Sequence, residues 1–310
     1  MDFTLNILGT ASALPTINRY PSAQVLDVHG RLFLFDCGEG AQMQMRRMGL
    51  SYLKVDVFCL SHIHGDHLFG LFGLLSTMGM LGRKSPLQIF APRSFGPILK
   101  FFLSYFGEGL QFRIEYHPLS MKSPEKVYET KSVELSAFPL RHRIETYGFL
   151  LREKEPLRNV RKDCIEKYSL GIAEMARLKN GEDILRSDGT VISNGDVTYR
   201  PYDPRSYAYC SDTAPFPELS SWVHGVDLLY HEATFTAPME ETAAATFHST
   251  AAKAAECAAE AQVKKLVVGH YSSRYRDLQP FMDEILPIFS KVVLAHEGDV
   301  IEVPLRRYLG

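Results

Sequence analysis

In the segment Val55-Asp56-Val57-Phe58-Cys59-Leu60-Ser61-His62-Ile63-His64-Gly65-Asp66-His67, an apolar run gives way at once to a cluster of imidazoles and a carboxylate. Val55 to Leu60 has the β-branched and aromatic composition of a buried strand. Residues 68–81 then read as an apolar helix. The polar cluster therefore lies at the carboxyl end of a strand, where α/β architectures collect their ligands. His62-x-His64-x-Asp66-His67 places four potential zinc ligands within six residues. Zinc takes imidazole nitrogen and carboxylate oxygen, and a catalytic zinc keeps one position for water. In an extended turn His62 and His64 face one ion, while Asp66 and His67 turn toward a neighbouring one. Metals paired at about 3.5–4 Å clamp both the attacking and the leaving oxygen of a phosphodiester. A solvated polar turn explains one such histidine well and four ligands together poorly.

Working outward, residues 3–8, 23–28 and 31–35 are β-rich, with His29-Gly30 as a hairpin turn, and a helix follows over 42–48. Downstream, strands are expected at 87–91, 112–116, 132–139 and 147–151, with a helix over 95–106. This is mixed α/β ordering. Residues 153–195 break it: they are charged, poor in aromatics and punctuated by glycine, and read as an inserted arm with one short helix near 172–178. Regular alternation resumes with strands at 206–210, 226–230, 265–268, 291–294 and 300–303 and helices over 250–261 and 278–289. The core thus has two halves flanking the arm.

Composition sets the limits. A chain of 310 residues with 45% hydrophobic content buries a large core. Five widely spaced cysteines without a C-x-x-C pair read as reduced, buried thiols. The start of the chain lacks the basic and apolar regions of a signal peptide, and no apolar run reaches the roughly 18 residues of a spanning helix. The expectation is a cytoplasmic protein with no membrane contact. A formal charge of −2 excludes a generally basic nucleic-acid binder, so any RNA contact must use local basic patches.

Other polar segments follow in order: Gly9-Thr10-Ala11-Ser12-Ala13-Leu14-Pro15-Thr16 with Asn18-Arg19, Phe35-Asp36-Cys37-Gly38-Glu39-Gly40, Pro139-Leu140-Arg141-His142, and Tyr209-Cys210-Ser211-Asp212-Thr213. After them come His231-Glu232-Ala233-Thr234-Phe235, Phe247-His248-Ser249-Thr250, Val268-Gly269-His270-Tyr271-Ser272-Ser273-Arg274-Tyr275 and Ala295-His296-Glu297-Gly298-Asp299. With the His62–His67 cluster, they make the chain resemble the metallo-β-lactamase superfamily and, within it, the RNase Z family over its whole length. The resemblance implies a four-layer αββα sandwich with an inserted arm. It implies two Zn²⁺ per subunit, one held by His62, His64 and His142, the other by Asp66, His67 and His270, with Asp212 bridging. Mn²⁺ suits such ligands as well. Asp66 would also orient the attacking hydroxide, and His248 backed by Glu232 would hand a proton to the departing 3′-oxygen. His231 is as readily structural, and Ser249 as readily an N-cap.

What the resemblance implies for function is a zinc-dependent endoribonuclease that removes the 3′ trailer from precursor tRNA. It would work as a homodimer, with residues 153–195 as the tRNA-gripping arm. The arm here departs from the longer family type in lacking a Gly-Pro-rich stretch before Lys179-Asn180-Gly181, and it is nearly neutral. Two rivals stay open: a phosphodiesterase of the same fold acting on small substrates, and a non-catalytic RNA-binding protein with structural zinc. The basic pairs Arg46-Arg47, Arg83-Lys84 and Arg306-Arg307 read as solvated helix ends, and Cys210 as core.

Overall fold

The structure, a computed structural model, describes residues 2–308. Phe3–Gly9 (β1), Ala23–Val28 (β2) and Arg31–Cys37 (β3) form an antiparallel meander. His29 and Gly30 join β2 to β3 with φ of 55° and 82°, the two-residue turn whose twist matches paired strands. After helix α1 (Ala41–Arg47) the sheet continues in parallel through Val55–Cys59 (β4), helix α2 (Gly65–Met80), Leu87–Pro92 (β5), helix α3 (Phe95–Phe106) and Ile114–Leu119 (β6).

Glu125–Glu129 (β7), Val133–Pro139 (β8) and Tyr147–Glu153 (β9) begin a second sheet. An intervening segment holds Asn159–Val160 (β10), helices α4 (Lys162–Lys167) and α5 (Ile172–Lys179), Ile184–Leu185 (β11), Val191–Ile192 (β12), helix α6 (Asn194–Val197) and Thr198–Tyr199 (β13). The second sheet then resumes in parallel with Ser206–Cys210 (β14), α7 (Glu218–Trp222), Leu228–Glu232 (β15), α8 (Glu240–Thr246), α9 (Ala251–Glu260), Leu266–Gly269 (β16), α10 (Gln279–Ile285) and Val292–Leu294 (β17). Val300–Glu302 (β18) returns to pair with β1. The strand orders are β18-β1-β2-β3-β4-β5-β6 and β17-β16-β15-β14-β9-β8-β7.

The period-two alternation of β3 explains the layering. Leu34 faces outward to a cluster with Met45, Leu68, Leu71, Leu75 and Phe95 of the flanking helices. Phe35 faces the second sheet instead, its ring 5.4 Å from Tyr207, 5.5 Å from Tyr209 and 6.0 Å from Phe149. Full burial of one such side chain contributes about 1.5–3 kcal/mol. On the far side Ala251, Ala254, Ala255 and Ala258 of α9 bring that helix close to Ala208 and Val268. The result is the four-layer αββα arrangement of the metallo-β-lactamase fold.

Two compact units divide the chain. Unit 1 runs to Tyr128 and includes Leu135–Leu151 and Ser206–Val303; unit 2 comprises Glu129–Glu134, Arg152–Arg205 and the residues from Pro304. Unit 2 has its own small core of Cys164, Leu170, Leu178, Ile184, Ile192 and Val197. A buried bidentate pair, Arg205 Nη2 and Nε to the Glu153 carboxylate at 2.9 and 3.0 Å, fixes its base. Sequence reading found α5 alone in this segment; α4, α6 and the two ribbons β10/β13 and β11/β12 were missed because strands of two residues carry no periodicity. Arg83 is also unlike its reading as a solvated helix end: it is 2% exposed and donates to the carbonyls of Leu53, Ser85 and Pro86. All five cysteines are free thiols.

Candidate metal centre

Five of the seven proposed ligands stand just beyond the carboxyl end of a strand of unit 1. His62 and His64 follow β4, His142 follows β8, Asp212 follows β14 and His270 follows β16. Asp66 and His67 differ from the sequence expectation of a loop ending at residue 67: α2 begins at Gly65, with His64 as its N-cap, so both lie in the first helical turn. An acidic side chain there is favoured by the positive end of the helix dipole. The backbone around the site is strained, with φ of 53° at Asp36, 59° at Phe247 and 63° at His270, none of them glycine. Such strain persists where surrounding contacts over-determine it, and it clusters at functional sites.

The seven proposed ligands converge in two groups, His62/His64/His142/Asp212 and Asp66/His67/His270, and Asp212, His248 and His270 form a third overlapping set, the ligand atoms of each set lying within 4.8 Å of one another. His62 Nε2 is 2.9 Å from His64 Nδ1, which is 3.4 Å from His142 Nε2; His67 Nε2 is 3.3 Å from His270 Nε2. Asp212 serves both groups with different oxygens. Its Oδ2 lies 3.5 Å from His62 Nε2 and 3.8 Å from His142 Nε2, while its Oδ1 lies 3.4 Å from His67 Nε2 and 3.2 Å from His270 Nε2. Asp66 Oδ2 is 3.4 Å from His67 Nε2 and 3.5 Å from His270 Nε2. Imidazole nitrogens directed at one another and at carboxylate oxygens are the donor set a divalent cation satisfies. Burial holds His62, His64 and His142 below the ordinary imidazole range, which keeps the neutral, metal-binding form. Desolvation opposes ionisation of Asp212 and Asp66, yet the surrounding imidazoles hold both well below the usual carboxylate range.

A second layer of partners fixes four of the five rings, the arrangement metal-bound histidines use. His67 Nδ1 meets Asp36 Oδ2 at 2.7 Å, His62 Nδ1 meets Ser61 Oγ at 2.9 Å, His142 Nδ1 meets the Phe247 carbonyl at 3.0 Å, and His270 Nδ1 meets Thr234 Oγ1 at 2.8 Å. Asp36 also accepts from the Ser61 N–H and hydroxyl and from the Tyr209 hydroxyl, each at 2.7 Å. No functional role was assigned to it from sequence, although a charged residue within the otherwise apolar strand Leu32–Cys37 was a signal, since a buried acid must be satisfied.

Glu232, fully buried at the end of β15, is saturated: Oε1 accepts from the N–H groups of Thr213 and Ser249 and from His248 Nδ1 at 2.9 Å, and Oε2 accepts from the Thr234 N–H and hydroxyl. His248 thereby keeps Nε2 as its free nitrogen. Burial works against a charged His248, but the Glu232 and Asp212 carboxylates prevail and hold it up to about 9. His231 belongs to no ligand group; it is buried with Nδ1 on its neighbour's carbonyl at 2.7 Å. Ser249 is not the N-cap of α9. That role falls to Thr250, whose side chain accepts from the Lys253 N–H, while the Ser249 hydroxyl donates to the Thr213 carbonyl. A cavity of about 860 Å³ opens over both groups, rimmed by Leu14, Phe69, Arg143, Phe235 and Arg274.

Two family models match parts of the chain. One described as Anti-Pycsar protein Apyc1 matches residues 3–159, and one described as Beta-lactamase superfamily domain matches residues 197–271. Ribonuclease Z of Bacteroides thetaiotaomicron is 43% identical, with 97% of this chain and 95% of that protein covered. The chain belongs to the ribonuclease Z family. Ribonuclease Z of Cytophaga hutchinsonii is 42% identical over 96% of this chain and 95% of its own. Among solved structures, the short form of human tRNase Z superposes with a TM-score of 0.72 at 25% identity, covering 97% of this chain and 99% of that one. As a ribonuclease Z family member the chain is an enzyme, a metal-dependent endoribonuclease on the metallo-β-lactamase fold. Among the described residues no helix is long and apolar enough to cross a membrane.

Proposed function

We propose that the protein removes the 3′ trailer from precursor tRNA in the cytoplasm, using two zinc ions held by His62, His64 and His142, by Asp66, His67 and His270, and by Asp212 between them. The observation that carries this reading is the convergence of all seven ligands beside the His248–Glu232 pair, in a chain that matches ribonuclease Z proteins over nearly its full length. Two such ions would supply an acidified water and neutralise charge on the phosphodiester. The remaining steps belong to the protein. Asp66, anchored by the Ala13 N–H at 2.7 Å, orients the attacking water. His248 donates the proton to the departing 3′-oxygen from Nε2, and Glu232 fixes its tautomer through Nδ1. The saturation of Glu232 makes it a positioning residue, since no oxygen is left to meet substrate.

In this reading the chain is one metallo-β-lactamase-fold domain with residues 153–195 as an arm that contacts tRNA, and the enzyme acts as a homodimer. Incubating the purified protein with a 3′-extended precursor tRNA and mapping both product ends tests it. Cleavage after the discriminator nucleotide, with a 3′-hydroxyl on the tRNA and a 5′-phosphate on the trailer, is expected. It should be lost on chelation and restored by Zn²⁺ or Mn²⁺. Hydrolysis confined to small diesters would sink the tRNA assignment and favour the small-substrate rival.

A further inference from the structure

Within unit 2 a cleft of about 440 Å³ is bordered by Arg158, Arg161, Arg200, Tyr199, Asp203 and Tyr308. One wall is the ribbon β10/β13, in which Asn159 pairs with Tyr199 and Val160 with Thr198. The other is the carboxy-terminal segment, tied down by the Tyr308 N–H on the Pro201 carbonyl at 2.9 Å and by a bridge between Tyr202 and Arg307. Three guanidinium groups thus face one carboxylate. That carboxylate is already occupied: Asp203 accepts the Tyr308 hydroxyl at 2.8 Å and lies 3.4 Å from Arg200, whose Nε also meets Glu155 at 3.1 Å.

Arg158 and Arg161 are left without an acidic partner among the described residues. Arg158 Nε donates to Thr198 Oγ1 at 2.6 Å, and Thr198 is buried and itself anchored to the Asn194 carbonyl at 2.7 Å. Arg161 lies over the Tyr199 ring, 5.8 Å from its centroid. Both guanidinium groups are therefore held in place, and both side chains are half-buried. Two sheltered like charges repel, and the planar fork of arginine donors matches phosphate oxygens in pairs. Exposed Tyr308 adds a ring face of the kind on which single-stranded bases stack.

We propose that this cleft binds a phosphodiester of an RNA backbone, so that the carboxy-terminal segment shares with the β10/β13 ribbon in the RNA grip of unit 2. The proposal rests on the reading of unit 2 as an RNA contact and assigns that contact to particular cations. It is tested with the full chain and two variants, Arg158→Gln/Arg161→Gln and Arg161→Glu; the second replaces a side chain that lies over the Tyr199 ring and makes no side-chain hydrogen bond among the described residues, so the hydrogen bonds of the ribbon stay intact. Binding of a 3′-extended tRNA transcript is measured across a salt series, alongside hydrolysis of bis-p-nitrophenyl phosphate and binding of inorganic phosphate. Expected are at least ten-fold weaker transcript binding, a log–log salt dependence shallower by about one for each phosphate no longer neutralised, and unchanged kinetics on the small diester. Transcript affinity and salt dependence equal to the parent's in the folded Arg161→Glu variant overturn the proposal. So does loss of inorganic phosphate binding alone, which marks a small-anion site. A parent that binds RNA through these arginines yet fails to cut a trailer sinks the proposed function and leaves this cleft standing.

Discussion

Asp66 and His248 lie beside the same ligand cluster, yet their contacts assign them different work. Asp66 Oδ2 stands among the nitrogens of His67 and His270, whereas His248 directs Nδ1 to Glu232 at 2.9 Å. Asp66→Ala should therefore lose metal and activity together, while His248→Ala should keep full metal content with turnover down about 10²–10⁴-fold, the usual contribution of general acid catalysis. Elemental analysis of both purified proteins separates the roles; metal lost from His248→Ala and retained in Asp66→Ala overturns them. Asp36 gives a sharper test, because it touches no ion in the proposed scheme. Asp36→Asn leaves a donor facing the donors of Ser61, Tyr209 or His67, and metal affinity should fall about 10–100-fold, the range found when a partner behind a metal-bound histidine is removed. Titration against a competing chromophoric chelator reads this directly, and an affinity equal to the parent's would show that Asp36 serves folding alone.

At the scale of elements, the position of α2 decides whether Asp66 and His67 reach the cluster. Its seat depends on Gly70, where an added Cβ would lie 2.0 Å from the Gly38 carbonyl oxygen, against only a flexible Gln42 side chain at 3.3 Å for Gly73. Gly70→Ala should cost about 1–3 kcal/mol through overpacking and reduce metal occupancy, whereas Gly73→Ala should be neutral or gain up to about 1 kcal/mol of helix propensity. Equal melting temperatures for the two would remove this account of how the helix is held. The same helix shows what was legible beforehand. The strand Val55–Cys59 and the ligand cluster stood out because an apolar run and a polar cluster adjoin, and α3 was read at its observed bounds from its apolar spacing. The start of α2 was placed late because Gly65, Asp66 and His67 are poor helix formers whose cost is met by burial of Leu68, Leu71 and Leu75. Strand β7 was missed since its residues are mostly charged and half-exposed at a sheet edge. The partners behind the ligands were illegible for a different reason: Thr234 and Ser61 are unremarkable hydroxyls until tertiary contacts bring them to His270 and His62.

For the whole molecule the question is whether the two units divide the labour. All nine residues assigned to metal or proton transfer lie in unit 1, as does every residue lining the cavity over them. Unit 2 contributes instead a separate small core and the arginine cleft. Replacement of the arm by a short Gly-Ser linker should keep Glu153 and Arg205, because breaking their buried pair costs about 3–5 kcal/mol and would confound the result with misfolding. A linker in place of residues 155–203 meets that condition. Hydrolysis of a small chromogenic phosphodiester should then survive, since such a substrate draws all its binding from the metal centre. Precursor tRNA should lose most of its kcat/KM, because contacts remote from the reacting bond are what position a large substrate for attack. If precursor tRNA is still cut at the parental rate, unit 2 is not an RNA grip and a small-substrate phosphodiesterase becomes the better reading. Should both activities vanish while metal content and melting temperature persist, unit 2 completes the active site, across a dimer if sedimentation shows that the variant has become a monomer.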